Sequence, residues 1–301
     1  TVRPWDGRVA GPEAGEAFAA RIDAQLATSD LKDVFIYVHG YKVNFENPVL
    51  VASELWHFLG YQGAFIAYSW PATYNFAAYF SDIDDALNSG RYLRQLILYI
   101  AANTDVERIH LIGYSAGTRL VSRVLTDLGM YAYAMDPAEV DEVVKLGNVI
   151  LVGADVDSQV FGGYLLDGAL RVPRSLTVYG SRGDGALRMA ERVFGGQRAS
   201  QINLVGVTEE VKDYFRAHPE FRFIDVTDAA ASLENNGHSY FRTSPWVSSD
   251  LLMTLLYDLP PEGRGLVQVD DLPMWTFPPD YIERLRTSLT GALAPETVSV
   301  D

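Results

Sequence analysis

Five consecutive residues, Gly113-Tyr114-Ser115-Ala116-Gly117, follow the apolar run 109–112 and precede a helical pattern. A serine in that setting is a candidate nucleophile. A strand that turns sharply into a helix holds the hydroxyl clear of the sheet, and the helix N-terminus behind it aims backbone N–H groups at developing negative charge. Gly113 and Gly117, two residues before and two after the serine, stand where strand and helix approach too closely for a side chain. Such a serine needs a base, an acid to orient that base, and donors for the oxyanion its attack creates. His238, in the polar turn Asn235-Asn236-Gly237-His238-Ser239-Tyr240 after the last apolar run, is the expected base. Asp184 closes the segment LTVYGSRGD at 176–184 and is the expected acid, in the chain order Ser, Asp, His. The oxyanion donors would be two backbone N–H groups. One belongs to Ala116, after the serine, and the other to Tyr41, after a strand that ends in His39-Gly40.

Other residues compete for these roles. Asp184 stands where a helix begins, so it is also a natural N-cap, and the two roles are compatible. Asp155 and Asp157, in Gly153-Ala154-Asp155-Val156-Asp157 beyond the preceding strand, are the alternative acids. Of the other histidines, His57 lies in a helical stretch and His110 in the strand before the serine, which suits structural roles. His218 precedes Pro219 and enters the last strand, at the wrong end of a sheet. His39 comes before the serine and reads as a loop-fixing hydrogen-bonding residue. Tyr41, Trp70 and Tyr114 are the aromatics expected near an acyl pocket, a role that competes with ordinary core packing.

Positioning these groups requires a frame, and the chain alternates strand and helix patterns to supply one. Apolar runs at 34–38, 64–68, 109–112, 149–152, 176–179 and 221–226 are short, rich in Val, Ile and Phe, and bounded by Gly, Pro or Asp. They suit strands covered on both faces. Phe18, Ile22 and Leu26 recur at helical spacing. A second helix carries Ile83, Leu87, Leu93, Leu96, Ile97 and Ile100 behind a Ser81-x-x-Asp84 capping box. A third carries Leu120, Val121, Val124, Leu125 and Leu128 and is expected to close at Gly129, and a fourth runs from Asp184 through Ala186, Leu187, Ala190, Val193 and Phe194 to Gly195. The alternation predicts an α/β fold with a mostly parallel sheet and helices on both faces. Ligands of such sheets sit beyond the carboxyl ends of the strands, where Ser115, Asp184 and His238 fall.

The 301 residues are 48% hydrophobic and 21% charged, enough apolar surface for a sizeable core. A single domain is expected, with a core over about 31–258, a lead over 1–30 and a tail over 259–301. The net charge of −15 argues against nucleic acid as a partner, because phosphate binding needs clustered Lys and Arg. It also disfavours anionic membrane surfaces. No apolar run approaches the ~18 residues of a spanning helix. The absence of cysteine excludes disulfides, thiolate-held zinc, iron–sulfur clusters and a Cys nucleophile together. It leaves both a cytoplasmic and an exported location open. Thr1 in place of a starting Met fits a removed export signal or simple trimming.

Taken together, His39-Gly40-Tyr41, Ser69-Trp70-Pro71, Gly113 to Gly117, Asp155-Val156-Asp157, Asp184-Gly185-Ala186-Leu187 and Gly237-His238 resemble a bacterial α/β-hydrolase family catalogued as a domain of unknown function. The resemblance covers about 31–258. It implies the α/β-hydrolase fold and esterase-type chemistry without settling a substrate; cleavage of a small-molecule ester by Ser115, His238 and Asp184 would need neither metal nor organic cofactor. Little chain precedes the first predicted strand, so the first two strands usual in that fold are expected to be missing or replaced. The same triad would serve an acyltransferase, an amidase or a perhydrolase, which differ only in the acceptor or the bond cleaved. A non-catalytic binding module on this fold is the remaining alternative; such modules usually lack the Ser or the His, and both are present.

Overall fold

In the first strand Val34, Ile36 and Val38 point to one side and Phe35 and Tyr37 to the other, and all five are buried. The period-two alternation is apolar on both faces, so helices must cover both. The computed structural model describes residues 11–41, 43–72, 79–182, 184, 185, 187, 191, 196–201, 208–229 and 238–293, without the side chains of 79–86 and 291–293. The strands are β1 (Asp33–Val38), β2 (Ala64–Tyr68), β3 (Arg108–Tyr114), β4 (Leu146–Val152), β5 (Ser175–Gly180), β6 (Phe221–Asp225), β7 (Val267–Gln268) and β8 (Met274–Thr276). They form one sheet in the order β2-β1-β3-β4-β5-β6-β8-β7. Every pairing is parallel except that of β7 with β8. Among the described residues no strand precedes β1, and β2 forms the edge beside it.

The described helices are α1 (Pro12–Leu26), α2 (Glu46–Phe58), α3 (Tyr79–Asn103), α4 (Gly117–Tyr131), α5 (Pro137–Val144), α6 (Ser158–Leu166), α7 (Glu209–Arg216), α8 (Tyr240–Thr243), α9 (Pro245–Tyr257) and α10 (Tyr281–Leu293). On one face Ile22 and Leu26 of α1, Leu93, Ile97 and Ile100 of α3, and Leu120, Val121, Val124 and Leu125 of α4 pack on Val34, Ile36, Leu111, Val149 and Val178. On the other, Val51 and Leu55 of α2, Val247, Leu251 and Leu255 of α9, and Tyr281 and Leu285 of α10 cover Phe35, Tyr37, Ile112, Ile150, Val152, Tyr179 and Ile224. This is the expected α/β class, with helices on both faces of a mostly parallel sheet. The predicted helix of 184–194 lies largely outside the described residues, as do Gly237 and the Ser81 and Asp84 side chains of the capping box.

Residues 259–293 join this frame. They supply β7, β8 and α10, and Arg264 is buried with its guanidinium Nε 3.3 Å from Asp250 Oδ1. Asp250 Oδ2 also accepts the Tyr179 hydroxyl at 2.6 Å. Sequence periodicity gave no sign of this, because β7 has two residues and β8 three, too few to alternate visibly.

Candidate active site

Ser115 stands at the carboxyl end of the central strand β3 with φ 51°, left-handed for a residue with a Cβ. Such a conformation costs roughly 1–3 kcal/mol and persists only where the surroundings over-determine it. Here they do. Ser115 N–H donates to Val152 O of β4 at 2.9 Å, and Ser115 O accepts from Thr118 N at 3.0 Å and from the Thr118 hydroxyl at 2.5 Å. The Thr118 hydroxyl in turn accepts Asp155 N–H at 3.1 Å, which ties the serine turn to the loop after β4. A Cβ on Gly117 would fall 2.3 Å from His39 O, and one on Gly113 would fall 3.1 Å from Val121 Cγ2. The demand for glycine is therefore far stronger after the serine than before it.

The β1 loop packs directly on the serine. A Cβ on Gly40 would lie 2.9 Å from Ser115 Cβ, so glycine lets the β1 loop close on the serine turn. His39 is buried and stacks on Trp70 with ring centroids 5.0 Å apart and planes 6° apart. Its Nδ1–H donates to Gly40 O at 2.8 Å, and its Nε2 accepts Trp70 N–H at 3.2 Å. Both nitrogens are thus used by a neutral ring, and burial holds the His39 pKa below the ordinary histidine value. The Trp70 indole N–H donates to His39 O at 2.8 Å, and Trp70 is 3% exposed. Trp70 sits in the core and braces the loop, while Tyr41 and Tyr114 are partly exposed. Ala116 is buried at the start of α4, and its N–H has no acceptor among the described residues.

Asp184 and His238 meet. His238 Nδ1 lies 2.7 Å from Asp184 Oδ2, with Asp184 fully buried and the His238 side chain 14% exposed. Asp184 Oδ1 accepts Leu187 N–H at 3.1 Å, so the carboxylate caps its helix and holds the imidazole at once. The His238 ring packs against Tyr114, centroids 5.2 Å apart, and Tyr114 packs against Phe241. Burial pushes the Tyr114 phenol up to about 12, so it stays neutral beside the imidazole. Ser115 and His238 flank adjacent residues of one strand end: Ser115 is bonded to Val152, and His238 rests on Gly153. Among the described residues the Ser115 hydroxyl makes no hydrogen bond to the His238 ring, a separation common before substrate binds.

The other carboxylates are engaged elsewhere. Asp155 is buried against Arg119 at 3.4 Å and Arg198 at 3.5 Å. Asp157 caps α6 through Gln159 N–H at 2.9 Å and Val160 N–H at 3.3 Å. His110 donates toward Asp33 at 3.2 Å and accepts Asn148 N–H at 3.0 Å, at the amino end of the sheet. His57 is on α2 beside Tyr61, and His218 bonds Tyr214 O at 2.8 Å. A cavity of about 370 Å³ opens at the carboxyl ends of β5, β6 and β8, lined by Gly180, Arg182, Phe223, Asp225, Met274 and others; Ser115 and His238 are not in its wall. Among the described residues no cluster of three His, Asp or Glu side chains is placed to hold a metal ion.

Three residues of the site had no role in the sequence reading. Thr118 braces the serine turn. Gly153 (φ 56°) lies under the His238 ring, where a Cβ would fall 2.8 Å from His238 Cε1. The Tyr240 hydroxyl accepts Gly153 N–H at 2.7 Å and donates to Tyr179 O at 2.8 Å. A glycine ending an apolar strand was a visible signal for Gly153; nothing in the local pattern marks Tyr240.

The parallel sheet, the helices on both faces and the serine turn at the end of a central strand are those of the α/β hydrolases. Within that class the chain belongs to the DUF900 family, alpha/beta hydrolases of unknown function, whose model matches residues 14–255. The resemblance drawn from the motifs is thereby borne out. An uncharacterized protein of Nostoc, alr1448, is 33% identical over 82 residues, 27% of this chain and 21% of that protein, so the match spans about a fifth of that curated relative. Among solved structures, a provisionally assigned cell surface hydrolase of Lactobacillus plantarum is 14% identical, over 78% of this chain and 95% of that one, with a TM-score of 0.41. An inhibited esterase B of Lactobacillus rhamnosis is 14% identical, over 80% and 93%, with a TM-score of 0.36. Likenesses this distant add nothing to the family assignment. No helix among the described residues is long and apolar enough to cross a membrane.

Proposed function

We propose that this protein hydrolyses carboxylic esters through an acyl-enzyme, with Ser115 as nucleophile, His238 as base and Asp184 as the acid that orients it. The observation that carries the reading is the buried Asp184–His238 pair at 2.7 Å beside a serine at φ 51°. With Nδ1–H donated to Asp184, Nε2 is the basic nitrogen, which is the tautomer a serine nucleophile requires. The Ser115 proton passes to Nε2 as Oγ attacks the carbonyl carbon. The oxygen that becomes negative is taken up by the N–H groups of Ala116 and Tyr41, donors of a kind worth ~3–4 kcal/mol each in the barrier. The imidazolium then gives its proton to the departing alkoxide, and the acyl group stays on Oγ. Water, deprotonated by Nε2, attacks the acyl carbon, and as the C–Oγ bond breaks the imidazolium returns the proton to Ser115 Oγ and the acid is released. Tyr41 and Tyr114 are the aromatics left to face the substrate.

The test is Ser115→Ala against a series of p-nitrophenyl esters of increasing chain length and a fluorophosphonate probe. Wild type is expected to turn over esters and to label, and the variant to lose both, with kcat falling ~10⁴–10⁶-fold and the fold intact. Wild-type activity in a folded Ser115→Ala protein would overturn the assignment.

A further inference from the structure

We infer that Tyr240 is the positioning residue for His238: its hydroxyl bolts the histidine segment to the ends of β4 and β5 and so sets the imidazole against Asp184. The pairing of β4 with β5 ends at Val152 and Tyr179, so Gly153 N–H and Tyr179 C=O lie at its last rung and still need good partners where they are buried. Their direct bond is long, 3.3 Å. The Tyr240 hydroxyl completes both groups. It accepts Gly153 N–H at 2.7 Å and donates to Tyr179 O at 2.8 Å. Tyr240 is fully buried, and burial pushes its phenol well above the ordinary tyrosine value, so it remains a neutral donor and acceptor.

The placement matters because of what lies on each side. Gly153 is the residue under the His238 ring, and the ring approaches so closely that a Cβ there would be 2.8 Å from Cε1 and 3.1 Å from Nδ1. Tyr240 is two residues from His238 and opens α8, so fixing its hydroxyl on Gly153 N–H fixes how the chain crosses the strand end. One hydroxyl therefore links three parts: the strand end that carries the ring's floor, the strand that leads to Asp184, and the segment that carries the ring. The groups facing the imidazole are Asp184 after β5 and Tyr114 at the end of β3, and Tyr240 holds the ring in register with both. It touches no reacting atom.

The catalytic consequence rests on the ester-hydrolase reading, whereas the positioning itself does not, and the experiment separates them. Tyr240→Phe keeps the ring and its packing and removes only the hydroxyl. Tyr281→Phe serves as the control, a fully buried tyrosine on α10 whose hydroxyl reaches Trp246 O at 3.4 Å. The primary readout is the two-bond ¹⁵N–¹H correlation spectrum of the His238 ring, assigned by its loss in His238→Gln, which reports the Nδ1-protonated tautomer directly. Wild type and Tyr281→Phe are expected to show that tautomer alone, and Tyr240→Phe a mixture with the Nε2-protonated form. Ester kinetics follow: kcat is expected to fall at least tenfold in Tyr240→Phe with KM unchanged, since misplacement of order 1 Å is enough for such losses. Gly153→Ala should give the same split from the opposite side, by lifting the ring. A wild-type ring spectrum in folded Tyr240→Phe overturns the positioning role whatever the activity. A shifted spectrum in Tyr240→Phe together with no ester turnover by wild type upholds the positioning role and overturns the esterase reading alone.

Discussion

Replacing Asp184 by Asn tests the acid assignment more sharply than deletion would, because shape is kept and only hydrogen-bond polarity changes. Asp184 Oδ1 receives Leu187 N–H at 3.1 Å and Oδ2 faces His238 Nδ1 at 2.7 Å. In Asp184→Asn the amide oxygen is held by Leu187 N–H, which leaves the NH₂ group pointing at the imidazole. Nδ1 must then accept, the ring proton moves to Nε2, and the nitrogen that should take the serine proton is no longer basic. A tautomer reversal of this kind costs about 10⁴ in kcat in a serine enzyme, or about 5 kcal/mol of barrier at 1.36 kcal/mol per tenfold. Asp155→Asn is the contrasting variant. Asp155 touches Arg119 and Arg198, and Arg198 is 3% exposed, so the substitution faces a buried guanidinium with a neutral amide in place of a carboxylate. That loss should register as about 3–5 kcal/mol of stability, with little change in kcat per folded molecule. Active-site titration with a fluorophosphonate gives the folded, competent fraction, and kcat on a p-nitrophenyl ester is normalised to it. Turnover by Asp184→Asn within tenfold of wild type would refute the reasoning, as would a larger kcat loss in folded Asp155→Asn than in Asp184→Asn.

Two further predictions concern stability. His39 is held neutral and burial lowers its pKa, so between that value and the ordinary ~6.5 the unfolded chain binds a proton that the folded chain does not. Stability should therefore fall as pH drops below ~6.5, and urea midpoints of His39→Gln measured across the same range should show a shallower slope; equal slopes would refute the clamp. Arg264→Met should cost about 3–5 kcal/mol by stranding the buried Asp250 carboxylate, and Arg264→Met with Asp250→Asn should recover part of it, as read from denaturant midpoints. A loss under ~1 kcal/mol for Arg264→Met would mean that the pair does not pin the chain beyond 258 to the core.

The sequence alone determined the six longer strands. Six apolar runs fell on β1 to β6 because strands buried on both faces must be apolar at every position, a signal that needs no knowledge of neighbours. It also singled out Ser115, because the close approach of α4 to β1 leaves no room for a side chain at Gly117, and that constraint is written locally. The assembly of the site was another matter. Asp184, Asp155 and Asp157 all follow strand ends and all lie between the serine and the histidine, so chain order by itself did not separate them. Tertiary structure gave them separate surroundings: an imidazole for Asp184, two guanidinium groups for Asp155 and the first turn of α6 for Asp157. The same holds for Trp70, whose stacking on His39 depends on a contact across 31 residues. Gly153 and Tyr240 became legible only when β4, β5 and the segment after β6 met at one point. A hydrogen bond between residues 87 apart leaves no periodicity for a sequence to display.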